Sequence, residues 1–149
     1  LKISDDYALV FEKPFEYQAF ILEQMEKRNE ALQAIHAGLE TIQRWHSVLD
    51  AKNFNLLKQA GDMLAVSNAS TKAINYYQMA QKVNKNEEDY PNRKTIDLNM
   101  ALIVYFADQE AYSKALPIIQ QTIPLSEKLL GMNDETTLWF KDSLKQLQN

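Results

Sequence analysis

The chain has 149 residues, 46% hydrophobic and 24% charged, with a net charge of −4. That size and composition suit one compact domain burying roughly 68–70% of its unfolded surface, and they exclude a disordered chain. The acidic balance, with basic residues scattered, gives no electrostatic support to a nucleic-acid role. The absence of cysteine removes disulfides, thiolate metal sites and thiol catalysis.

With cysteine absent the redox compartment stays open, and the cytoplasm is favoured. No apolar run approaches the length of about 18 residues that a membrane helix needs. The opening "LKISDD" has neither an initiator Met nor a signal-peptide pattern, so a segment of a longer protein is expected. Only three glycines and four prolines punctuate the chain. So few turn residues predict helices joined by short polar links.

In chain order, "DDYALVFEK" is a candidate short leading helix. "PFEYQAFILEQME" starts a helix with Pro14 in its first turn, where a missing N–H costs little. "EALQAIHAGLETIQRWHSVL" places Leu32, Ile35, Leu39, Ile42 and Leu49 on one face. "NFNLLKQAGDMLAVSN" follows, capped near Asn53 or Asn55, and "STKAINYYQMAQKVNK" has Ser70 as its expected N-cap. "NEEDYPNR" reads as a link. "KTIDLNMALIVYFADQ", "AYSKALPIIQQTIPLSEKLLG" and "DETTLWFKDSLKQLQ" complete about seven helices. Short links predict antiparallel neighbours.

A repeat runs through these helices. Ala73, Tyr77 and Ala80 are small, large, small at i, i+4, i+7. Shifted forward by 42 residues the set becomes Ala115, Ile119 and Thr122; shifted back it becomes Ala31, Ile35 and Gly38. On the preceding helices Leu57, Ala60, Gly61 and Leu64 map onto Asn99, Leu102, Ile103 and Phe106, and less closely onto Phe15, Gln18, Ala19 and Leu22. The small residues let two helices approach, and Gly61 reads as a close-packing position. Each hairpin leaves a face that its neighbour buries.

The stretch 106–144 resembles the tetratricopeptide repeat family in its 42-residue, kinesin-light-chain-like form. Asp108, Gln109, Tyr112, Ala115, Leu116, Pro117, Glu127, Lys128, Leu130, Gly131 and Thr137 stand at matching places. The resemblance covers 54–149 and extends to 14–53 through the second helix of that unit. It implies an all-α, right-handed superhelical solenoid of antiparallel hairpins. The whole of 1–149 is then one domain, with units at about 14–53, 54–93 and 94–133 and a closing helix at 134–149.

The family often offers an Asn pair to a bound peptide; here those places hold Lys58 and Gln59, Met100 and Ala101, Asp142 and Ser143. In the family's frame the concave groove is lined by Tyr17, Phe20, Asn55, Lys58, Gln59, Asp62, Asp97, Met100, Val104, Trp139 and Asp142. The linker "GMNDETT" keeps residues able to cap the next helix, and Trp45 is expected under the next hairpin.

The chain offers few reactive groups. His36 and His46 lie about 80° apart on a helix and lack metal-site spacing, so ordinary surface or interhelix roles are expected for both. The acidic runs have no calcium-loop spacing. No catalytic residue, metal or cofactor is expected. The functional expectation is a non-enzymatic scaffold whose groove takes a protein, a peptide or another domain of its own chain. Alternatives are a ligand- or peptide-responsive regulatory module of a larger bacterial protein, and a homodimerisation domain.

Two prolines complete the expectations. With Ser113 as N-cap, Pro117 would be the fourth helical residue, at the edge of the N–H groups that lack intrahelical partners. Pro124 lies deeper and predicts a bend near residues 120–124.

Overall fold

The computed structural model describes residues 27–45, 53–66 and 70–149. The candidate helix at 14–26, the leading segment, Tyr17, Phe20 and His46 lie outside them. Six helices are present among the described residues, and no strand. They are α1 (Arg28–Trp45), α2 (Phe54–Ala65), α3 (Ser70–Lys85), α4 (Arg93–Asp108), α5 (Tyr112–Leu130) and α6 (Glu135–Gln148). The chain is all-α, as the helical periodicity and sparse glycine predict. It divides into two compact units, Leu1–Glu87 and Glu88–Asn149, at the polar link before Pro91.

In the first unit, α2 packs against both α1 and α3. The small–large–small triplets face the interior: Ala31, Ile35 and Gly38 are buried, as are Ala73, Tyr77 and Ala80. On α2, Leu57, Ala60, Gly61 and Leu64 are buried too. At Gly61 the backbone of α2 lies directly against a ring of α3. A Cβ placed there would lie 2.6 Å from Cε1 of Tyr77 and 2.7 Å from its Cδ1. The ring has little room to yield, because Tyr77 is only 2% exposed and its hydroxyl donates to Asp62 Oδ1 at 2.7 Å.

In the second unit, α5 packs against both α4 and α6. Ile96, Ile103, Ala115, Ile119 and Phe140 form the buried centre. Ile103 takes the place of Gly61 in the 42-residue frame, and Ile119 the place of Tyr77. The close approach of helix backbone to a ring is thus replaced by two branched aliphatics. Thr122 takes the place of Ala80: its hydroxyl donates to the Ile118 carbonyl at 2.6 Å and accepts from Asn99 Nδ2 at 3.0 Å. α6 is held by a fully buried Ser126–Thr137 hydroxyl pair at 2.6 Å and by Lys141–Glu127 at 3.2 Å.

Helix starts differ from several expectations. α4 has a full capping box: Asn92 accepts from the Thr95 N–H, and Thr95 Oγ1 accepts from the Asn92 N–H. Asp134 caps α6 by accepting from the Thr136 N–H at 2.9 Å, as its linker position predicts. Ser70 is already helical, so it is the first residue of α3 and not its cap. Asn53 precedes α2 but makes no side-chain cap bond.

Ser113 is not the N-cap of α5: Ala111 holds that place without a side-chain bond, and the helix begins at Tyr112. Pro117 is therefore the sixth helical residue, beyond the free N–H groups. It removes a bond that Ser113 C=O would otherwise accept. Both prolines are exposed on an unbroken helix, so their rings point away from the core.

The Gly61 contact has a diagnostic sign. At an unconstrained helical site Gly→Ala stabilises by about 1 kcal/mol. Here Gly61→Ala is expected to destabilise by about 1–3 kcal/mol in urea unfolding, because the methyl overpacks against Tyr77. Adding Tyr77→Leu, which frees that volume, should make the alanine tolerable. A Gly61→Ala chain more stable than the parent would contradict the close approach.

Candidate functional site

The residues expected to line a groove separate into three groups. Lys58 and Asp62 are tied to each other. Asp62 sits one turn after Lys58 on α2, and Lys58 Nζ donates to its Oδ2 at 2.8 Å. Its other oxygen accepts from Tyr77 of α3. Both carboxylate oxygens are thus engaged, which answers how two half-buried charges are tolerated. Gln59 is half-buried on the same helix.

Met100 and Trp139 form the second group. Both are half-buried and pack against the centre of the second unit, Met100 from α4 and Trp139 from α6. The Trp139 ring meets Phe140 edge-on, with centroids 5.2 Å apart. These side chains are anchored in the core with one edge left in solvent.

Asn55, Asp97, Val104 and Asp142 form the third group. All are exposed, and none makes a side-chain hydrogen bond or ion pair among the described residues. Asp97, Ala101, Val104 and Asp108 recur at helical spacing, so they form one stripe along α4 on the side opposite Ile96, Leu102 and Ile103. Val104 is 45% exposed, a large aliphatic left in water midway along that stripe. Met100 flanks it. On α6, Asp142 stands three residues after Trp139 and so shares its side of the helix. Each helix therefore presents a core-anchored apolar side chain with a free carboxylate one turn away.

His36 sits elsewhere. It is exposed on α1, its Nε2 shares a 3.2 Å hydrogen bond with the Tyr76 hydroxyl, and the two rings lie 5.7 Å apart. Burial raises the Tyr76 pKa above its usual value by disfavouring the phenolate. This is the interhelix role expected for a surface histidine. An open depression of about 480 Å³ beside it is lined by Asn29, Leu32, Gln33, Ala37 and Glu40 of the same helix. Among the described residues no group of three His, Asp or Glu side chains gathers as metal ligands would. No described helix is long and apolar enough to cross a membrane.

Sequence reasoning missed the Tyr77–Asp62–Lys58 chain and the Asp108 end of the α4 stripe. The first was accessible: Lys58 and Asp62 are i, i+4, and Tyr77 is the large member of its triplet. In the sequence Asp108 stands out only as a match to a repeat pattern.

No protein-family model matches the chain, and no curated protein or solved structure is detectably similar to it.

The Asp62 junction gives a graded expectation. Asp62→Ala strips the acceptor from a buried phenol and should destabilise by about 1–3 kcal/mol. Lys58→Ala removes a partly exposed partner and should cost under about 1 kcal/mol. In a double-mutant cycle, Asp62→Ala and Tyr77→Phe should couple by about 1 kcal/mol; strictly additive losses would contradict the bond.

Proposed function

We propose that the chain is a non-enzymatic binding module, a tetratricopeptide-like solenoid of helical hairpins that holds a protein or peptide segment. The observation that carries the proposal is the outward side of α4 and α6. There Val104, Met100 and Trp139 leave apolar surface in water beside Asp97 and Asp142, which have no partner among the described residues. Trp is among the few residue types that carry most of the binding energy at protein interfaces, Met is enriched there, and complementary charges supply selectivity.

The repeat supports the architecture. All nine positions of the small–large–small triplets are buried, and the helices within each unit pack against their chain neighbours. Glu127 and Thr137, two of the residues on which the family resemblance rests, both tie α5 to α6. Fold likeness alone is a weak guide to function, so the reading leans on the exposed side chains.

Substitutions that test it must spare the fold. Lys58 and Met100 are poor choices, since one holds Asp62 and the other packs on the core. Val104→Glu and Asp97→Lys change exposed groups and should leave the melting temperature within a few degrees. Each should sharply reduce capture of the partner on immobilised protein, whereas Gln121→Glu, on the exposed side of α5, should not. Equal capture by all three variants would defeat the proposal.

A further inference from the structure

Within the proposed binding reading, on which this inference rests, we infer that the partner segment is basic with an apolar anchor: lysines or arginines flanking at least one large aliphatic or aromatic side chain.

The charge distribution points there. Between residues 88 and 149 there are nine acidic and six basic residues, so that segment carries −3 of the chain's net −4. Of its six cations two are engaged within the segment, Lys128 and Lys145 lie on α5 and α6, and Arg93 and Lys94 lie in the first turn of α4. Lys141 pairs with Glu127 at 3.2 Å, and Lys114 lies over the Phe106 ring at 5.7 Å. Asp97, Asp108 and Asp142 carry no such partner among the described residues.

Spacing adds to the argument. On the α4 stripe, with Arg93 one turn before Asp97, Asp97 and Asp108 stand eleven residues apart. At 1.5 Å of rise per residue that is about 16 Å, with Val104 between them. An extended segment covers that span in about five residues. A partner with cations at its ends and an apolar side chain between them would meet a carboxylate, an aliphatic patch and a second carboxylate in turn. An acidic segment would place like charges opposite both ends, and that repulsion is what selects against it.

Three synthetic peptides of about 15 residues and matched length test this: one of lysine and leucine, one of glutamate and leucine, one of lysine and serine. Each is titrated into the isotopically labelled full chain while amide shifts are followed. The lysine–leucine peptide should move the amides around Asp97, Val104 and Asp108, and bind at least tenfold tighter than the other two. Its affinity should weaken as salt rises from about 50 to about 300 mM, as screening shortens the reach of the carboxylates. Asp97→Lys combined with Asp108→Lys should weaken binding by tenfold or more with the fold intact.

If the glutamate–leucine peptide is the one that moves those amides, the binding face stands and the basic partner is wrong. Equal binding of the lysine–serine peptide overturns the apolar anchor. If no peptide moves those amides in a folded chain, the inference and the binding reading fall together.

Discussion

How closely two helices can approach decides most of this structure. In each described pair, one helix offers small residues at i and i+7 around a large one at i+4. That spacing places all three on one stripe and lets the partner backbone come near. At Gly61 the approach is at its limit, with the Tyr77 ring where a side chain would begin. At Ile103 and Ile119 the same positions are filled by two buried branched aliphatics of one cluster. One repeat plan thus yields two local solutions, and neither tolerates the other's residues without repacking.

The choice of Tyr77 has a consequence one step out. A buried phenol needs a partner for its hydroxyl, and Asp62 supplies it from the facing helix. The carboxylate is then drawn toward the interface, and Lys58 compensates its charge. Two residues that look like binding groups in the sequence are thereby recruited to packing. In the second unit Ile119 has no hydroxyl to satisfy. The places of Lys58 and Asp62 are taken there by Met100 and Val104, while Asp97 takes the place of Asn55, and both Asp97 and Asn55 are exposed. The loss of the tyrosine thus goes with the loss of its carboxylate partner, and an apolar side chain, Val104, stands exposed where Asp62 would be.

Much of the fold was legible because helix pattern and burial follow the same period. The span of α3 and the burial of all nine triplet positions could be read directly from spacing. The capping of α6 by Asp134 was legible for a similar reason: its side chain acts on a backbone group two residues away. The start of α5 was not, because Ala111 caps without a side-chain signal and Ser113 is the more conventional capping residue. The site was legible in part. The family resemblance pointed to Asp97, Val104 and Asp142, and all three are exposed. It could not reveal that Met100 and Trp139 are anchored in the core, or that Lys58 and Asp62 are spoken for, because both depend on contacts between helices.

The central claim is that α4 carries the binding face. The chain contains no cysteine, so a single Cys introduced at Val104 or at Gln121 can carry one environment-sensitive fluorophore without ambiguity. Both positions are exposed, one on the α4 stripe and one on the outer side of α5. On titration with the lysine–leucine peptide, the label at position 104 should shift its emission and saturate, while the label at position 121 should stay unchanged. A response at 121 with none at 104 would contradict the account.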